Sequence, residues 1–370
     1  MPDRAPFVTP RDVVVETTTL GDDPGVAPVT LRAHDEDFRV DEVASFSPSG
    51  SGEHLFLRVE KSGHSTMDLV AALSRAYGIS TRDIGFAGRK DARGVTSQWL
   101  SAPRRAIDDD GARLKEHGRY VVLEAAPHQK KLHLGVLAGN RFTLTLRTVD
   151  DDSASAPPLD AERVLGRARH IAASGFANFF GAQRFGQDLS TLDEADRFLT
   201  RAFVPRSRKD LFLVSAAQAA FFNVWLRERV QDNLLFDAVH GDVLGLFGRG
   251  STFVCEDPLV DGPRVRALEV DPRGPLFGAE MRPASHEAMT RESRSLRGRG
   301  IDPEVFKSHP AFRTGDRRPA IATAKDLEGS GDARSVRLSF VLAKGAYATV
   351  FLREVFGRAL HDAAFPSSES

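Results

Sequence analysis

Cysteine is all but missing from this chain of 370 residues; Cys255 stands alone. An internal disulfide and a cysteine-built zinc site are thereby excluded, and such usage suits a reducing compartment. Net charge is nearly absent too: 50 Lys and Arg face 51 Asp and Glu, leaving −1 at neutral pH. So balanced a chain has no bulk attraction for a polyanion, and any such partner must be held by local clusters of charge. No apolar run comes near the roughly 18 residues of a membrane helix. The stretch from Met1 to Gly25 mixes acids and prolines without an apolar core. Neither a membrane span nor a signal peptide is expected, and the cytoplasm is the expected compartment. The eleven histidines are scattered, with no HExxH and no ligand-spaced pair on a helix face. The acidic patch "HDEDF" (His34 to Phe38) reads as the flank of a strand, so no metal is expected. There is no GxSxG string and no dinucleotide fingerprint, so serine-hydrolase and redox chemistry find no support.

What the chain does have is enough apolar residue, 41%, to bury a sizeable core. "VTLRAH", "DFRVDEV" and "HLFLRVEK" alternate apolar and polar residues and predict strands. "STMDLVAALSRAYG" predicts a helix capped by Ser65 or Thr66, with Met67, Val70, Leu73 and Tyr77 on one face. Short strands are predicted at "IGFAG" and "VTSQWLSA", then at "RYVVLEAA" and "RFTLTLRTV". After the loop Asp150 to Asp160 the texture turns helical, through "DAERVLGRARHIAASG", "STLDEADRFLTRAF" and "VSAAQAAFFNVWLRERVQ". The glycine- and proline-rich region from about 237 to 330 predicts short strands, turns and loops. Sheet-like text returns at "SVRLSFVLAKG", before a helix at "AYATVFLREVFGRALHDA". A sheet pattern at both ends around a helix-rich middle describes an α+β domain interrupted by an insertion.

Three segments could carry chemistry. "GFAGRKDARG" (Gly85 to Gly94) sets three glycines, two arginines and a lysine around the single carboxylate of Asp91. Its glycine spacing is not that of a P-loop, and an acid after the lysine would repel phosphate. It is either a tight turn or a catalytic carboxylate: cations nearby favour the charged form, glycines let a substrate backbone approach, and a carboxylate can attack carbon. "GNRF" offers Asn140, with donor and acceptor, and Phe142, which can stack on a base or sit in the core. "NFFGAQRFG" interleaves aromatics with Asn178, Gln183 and Arg184, as a nucleic-acid surface or a glycine-hinged packing turn would. Basic clusters stand at "PRR", "HQKKLH", "PRSRKD" and "RESRSLRGRG", and about half of them are expected to be solvated faces.

Together, "GFAGRKDARGVTSQW", "KKLHLGVLAGNRFTL", "NFFGAQRFG", "SAAQAAFFN" and "LSFVLAKGAYATVFLRE" resemble, in order, the TruD-type tRNA pseudouridine synthases, over about Thr30 to Phe356. The resemblance implies a pseudouridine-synthase mixed or antiparallel sheet domain at 1–177 and 331–370. A TruD-specific α/β insertion would occupy 178–330, with RNA bound between the two. It implies isomerisation of a tRNA uridine, at position 13, with Asp91 as the catalytic aspartate and with no cofactor or metal. Arg32, where the family usually has lysine, would pair with Asp91; Asn140 would position the site, and Phe142 would pack on the target base. Thr96 and Gln98 would support the loop. Arg89, Lys90, Lys130, Lys131, Asn178, Phe180, Gln183 and Arg184 are the candidate RNA contacts. Ala92 falls where relatives often carry a basic residue and Gly94 where they often carry alanine; neither is expected to abolish function. Two other classes fit less of the sequence. An RNA-binding protein without catalysis would not depend on Asp91, and a metal-dependent phosphotransferase would not survive a chelator.

Overall fold

The structure, a computed structural model, describes Thr9 and residues 25–31, 34–108, 110–115, 119–149, 158–186, 189–199, 204–297 and 301–361. Arg32 lies outside the described residues.

The first unit opens with β1 (Val29–Leu31), β2 (Phe38–Val43) and β3 (His54–Ser62), followed by α1 (Thr66–Tyr77). β2 is buried at Phe38, Val40 and Glu42 and less so between them, as the period of two demands. Ser65 caps α1 by accepting from the Asp68 N–H, and Gly78, at φ +64°, ends it in the left-handed conformation. Next come β4 (Gly85–Phe86), β5 (Val95–Pro103), the short α2 (Ala112–Lys115), β6 (Tyr120–His128) and β7 (Gly139–Thr148). α3 (Ala161–Ser174), capped by Asp160, leads into β8 (Phe176–Ala177).

The second unit contains α4 (Ser190–Leu199), the 24-residue α5 (Arg208–Gln231), β9 (Val243–Leu246), β10 (Thr252–Val254), α6 (Pro258–Arg266), β11 (Val270–Leu276), α7 (His286–Arg297), α8 (Val305–Ser308) and β12 (Asp316–Pro319). α5 is buried almost all round from Leu213 to Leu226, as a helix with no polar face must be. Beside it lies an antiparallel sheet in the order β10-β9-β11-β12. Helices α6 and α7 and the single turn of α8 occupy the region where only strands, turns and loops were expected. Pro263 and Gly262 disguise α6; its Pro258 stands at the start, where proline is tolerated.

The chain returns through β13 (Ile321–Ala322), β14 (Ala324–Gly331), β15 (Ser335–Ala343), α9 (Ala348–Phe356) and β16 (Leu360–His361). β13 pairs antiparallel with β8, so the strands leaving and re-entering the first unit are zipped together. β14 pairs antiparallel with β15 and belongs to the first sheet. α9 stops at Gly357, whose φ is +54°, earlier than the sequence pattern suggests.

Among the described residues ten strands make the first sheet, with β14-β15-β7-β2-β5-β3-β6 as its backbone. It is antiparallel except for the β2–β5 and β1–β16 pairs, an α+β arrangement with a mixed sheet. All its helices that matter to the site cover one face. α1 packs Leu69, Val70 and Leu73 on Leu55, Leu57 and Leu100. α3 and α9 pack Leu165, Phe351 and Val355 on Leu144, Leu338 and Phe340. Between these two helical patches a short stretch of the central strands β2, β7 and β5, around Val40, Phe142 and Thr96, opens onto a cavity.

Candidate active site

Strand register decides what faces this gap. Val40 stands beside Thr96 on one side and Phe142 on the other, and Glu42 stands beside Asn140. The floor of a cavity of about 270 Å³ is therefore Phe38, Val40, Thr96 and Phe142, with Asn140 at one edge. The loop Arg89–Asp91 forms the wall on the α1 side; Tyr347, Thr349 and Leu352 form it on the α9 side, and Gln183 comes from the crossing into the second unit. Asp91, Asn140 and Phe142, separated in sequence, thus line one cavity. Phe142 is held by a stacked contact with Phe340, ring centres 5.7 Å apart. The oxygens Asn140 Oδ1 and Thr96 Oγ1 are buried with no hydrogen-bond partner among the described residues. Asp91 itself is exposed.

The carboxylate's loop is pinned from the sheet and from α1. The Lys90 N–H donates to Thr66 Oγ1 at 2.7 Å, and that hydroxyl donates to Gln98 Oε1 at 2.8 Å. Gln98 and Thr96 thus sit beneath the loop. The Lys90 ammonium meets Glu42 at 3.2 Å, both side chains nearly sealed from water. Burial pushes the Glu42 carboxyl up, against the pull of Lys90. From β3, the ammonium of Lys61 donates to the Asp91 main-chain oxygen at 2.9 Å. Burial brings Lys61 down to about 8, although the Asp91 charge acts the other way. The glycines serve the protein's own backbone: a Cβ on Gly94 would fall 2.4 Å from the Phe38 oxygen, and φ there is +93°. A Cβ on Gly85 would fall 2.2 Å from the Leu132 oxygen.

Of the other residues singled out in the sequence, Arg89 is exposed and lines the cavity with Gln183. Lys90 is 8% exposed and faces Glu42. Lys130 and Lys131 follow the end of β6 that pairs with His54, whereas Lys61 pairs with Tyr120 at the opposite end of β3. Lys131 donates to the Arg82 main-chain oxygen. Asn178 is buried; it donates to the Pro319 oxygen at 2.9 Å and its Oδ1 accepts from Arg318 at 2.9 Å. Arg318 lies 3.9 Å over the Phe180 ring and donates to the Gly345 oxygen at 2.7 Å. Burial brings Arg318 down to about 10. Arg184 donates to Ser215, lies 4.8 Å over Phe212, and is also pushed down by burial. Asn178, Phe180 and Arg318 therefore form the joint that ties the second unit to the turn before α9.

Sequence reading missed Glu42, Lys61, Arg318 and Tyr347. The first two carried a signal: Glu42 continues the buried row Phe38, Val40, and Lys61 continues Leu55, Leu57, Val59. A charged residue at a core position of an alternating strand has a partner to satisfy. The thiol of Cys255 is fully buried, and burial pushes it up to about 12, so it is no nucleophile. Among the described residues no group of three or more His, Cys, Asp or Glu could hold a metal ion, and no helix is long and apolar enough to cross a membrane.

The cavity thus has an exposed carboxylate at its rim and an aromatic ring on its floor, an arrangement open to carboxylate chemistry on a flat substrate. Comparison with known proteins narrows it. The family model described as tRNA pseudouridine synthase D (TruD) matches residues 18–201 and 189–355, and the chain belongs to that family. It is 43% identical over 337 residues to a tRNA pseudouridine synthase D of Anaeromyxobacter dehalogenans, covering 88% of this chain and 92% of that one. It is 36% identical over 358 residues to the protein of that name from Thermus thermophilus, covering 96% and 92%. A crystal structure titled as the putative tRNA pseudouridine synthase D from Methanosarcina mazei has the same fold, with a TM-score of 0.70 at 21% identity, covering 95% of this chain and 98% of that one.

Proposed function

We propose that this chain isomerises uridine 13 of tRNA to pseudouridine, with the Asp91 carboxylate as the catalytic group. The observation that carries the reading is the meeting of an exposed Asp91 with Asn140 and Phe142 in one cavity. The reaction breaks the N1–C1′ bond and joins C1′ to C5 of the same uracil; C5 gives up its proton, and N1, which carries none in uridine, takes one up. A target base inside a stack must first be flipped out, at a cost of a few kcal/mol. Phe142, braced by Phe340, offers the flipped uracil a face to pack on. The Asn140 oxygen, unpartnered among the described residues, can accept a hydrogen bond from a uracil N–H or a ribose hydroxyl.

In this reading the domain boundary follows the β8–β13 crossing, and tRNA lies between the two units. Arg89, exposed beside the cavity, and the distant Lys130 contact phosphates. Gln183 and Arg184 reach the RNA where the units meet. Lys90 serves chiefly to hold the loop through Glu42. A tRNA substrate puts the enzyme in the cytoplasm. The test uses uridine-labelled tRNA transcripts and the full chain. Pseudouridine should form at position 13, not in a transcript with cytidine there, and Asp91→Asn should slow it by about 1,000-fold or more. A wild-type chain that converts nothing, or a fully active Asp91→Asn, overturns the proposal.

A further inference from the structure

Lys61 is the last inward-facing residue of β3 and is 2% exposed. Its aliphatic stem continues a row of core residues, and its ammonium reaches out of that row into the loop that carries Asp91. The partners it finds there, the main-chain oxygens of Asp91 and His64, are carbonyls rather than carboxylates. An aliphatic side chain would suit this position better on burial alone, because desolvating an ammonium is unfavourable. The lysine therefore does something that an aliphatic residue cannot.

The other pins of the loop do not reach Asp91. Thr66 and Glu42 hold Lys90, and Gln98 reaches the Gly88 oxygen at 3.5 Å. Downstream, pairing with the sheet resumes at Val95. Among the described residues the Lys61 ammonium is the side-chain donor that fixes the Asp91 peptide itself. The charged groups around it are Asp91, Lys90 and Asp68.

We propose that Lys61 is a positioning residue for Asp91. Its ammonium clamps the Asp91 carbonyl so that the carboxylate is presented to the cavity, and it sets a buried positive charge beside that carboxylate as it acts. The inference rests on the reading of Asp91 as the catalytic group.

The test compares the full wild-type chain with Lys61→Met, Lys61→Gln and Lys61→Arg. Two quantities are measured on tRNA transcripts: the single-turnover rate of pseudouridine formation at saturating enzyme, and the tRNA Kd by filter binding. Lys61→Met and Lys61→Gln should lose roughly 10- to 100-fold in rate, the worth of a charged hydrogen bond, with Kd unchanged. Lys61→Arg should recover much of the rate. The wild-type rate should fall as the lysine loses its proton near pH 8. Lys61→Arg, which stays charged, should lack that fall. The comparison of wild type with Lys61→Arg decides the matter even if Lys61→Met does not fold. A fully active Lys61→Met, a loss shared equally by rate and Kd, or the same alkaline fall in Lys61→Arg overturns the role of Lys61. A wild type that makes no pseudouridine at all overturns instead the reading of the whole site.

Discussion

Glu42 and Lys90 stand 48 residues apart in the chain and 3.2 Å apart in space, with side chains only 0% and 6% exposed. One comes from the middle of the sheet and the other from the residue just before Asp91, so the pair nails the loop to the strand beneath it. Glu42 also accepts from the Trp99 N–H at 3.2 Å. Removing the acid leaves a buried ammonium with no counter-charge. Glu42→Ala should cost about 3–5 kcal/mol of stability, read as a shift in urea midpoint. The double variant Glu42→Leu, Lys90→Leu should recover much of that loss. If Glu42→Ala unfolds at the wild-type midpoint, the pair does not hold the loop.

Gly181 tests how tightly the cavity wall is built. A Cβ there would lie 2.6 Å from Gln183 Oε1, 2.8 Å from Thr349 Oγ1 and 3.0 Å from the Tyr347 ring. These atoms end movable side chains, so Gly181→Ala should fold with a nearly normal melting curve. Three residues that line the cavity must shift, however, and misplacement of about 1 Å can slow an enzyme by about 100-fold. A drop of at least about tenfold in the rate of pseudouridine formation is expected; an unchanged rate would show that this wall does not shape the reaction.

Arg318 should act as a hinge pin between the units. Its guanidinium covers Phe180, accepts no substitute geometry from a lysine, and donates to the Asn178 and Gly345 oxygens. Both Arg318→Lys and Arg318→Met should loosen the turn before α9. Hydrogen exchange at residues 344–347 should speed up in both, while exchange in α1 stays the same. Equal protection in wild type and variants would remove Arg318 from that role.

Lys61 makes a prediction about stability and pH. Its ordinary value is 10.5, and burial brings it down to about 8 in the folded chain. Between those values the unfolded chain binds a proton that the folded chain has released. Stability then rises with pH across this window, because the unfolded state binds more protons. Urea midpoints taken from about pH 8 to about pH 10 should show a rising contribution that Lys61→Met lacks. The same pH slope in both proteins would mean that the buried lysine is not desolvated as the geometry implies.

Much of this molecule can be read in its sequence, and the limits have physical reasons. Strands with one wet face announce themselves, so β2 and β3 fall where alternation puts them, and Ser65 begins α1 as its capping chemistry requires. The order of motifs around Asp91, Asn140 and Phe142 was visible, and the structure lines one cavity with all three. α6 and α7 were hidden. The first carries proline and glycine within it, and the second has so many charged residues that its buried face, Ala288, Glu292, Ser295 and Leu296, hardly stands out. Arg318 was hidden for another reason. In "RRPAIA" it looks like one more exposed cation, and only the tertiary fold brings Phe180 and Gly345 to it.

The pairing of β7 with β15 has a bearing on how the protein is made. Thr143 and Ser339, opposite each other in that pair, are separated by 196 residues. At the usual pace of a ribosome, about 5–20 residues per second, some 10–40 s pass between the two strands. Throughout that interval the nascent chain already carries Asp91 and Phe142, but Phe340 has not been made and the aromatic floor has no brace. The intervening unit can fold first, and the zipped crossing strands then deliver β15 to its place. The cavity floor is thus completed only once β15 has emerged, and a polypeptide released before β15 would carry Asp91 and Phe142 with no brace behind the ring.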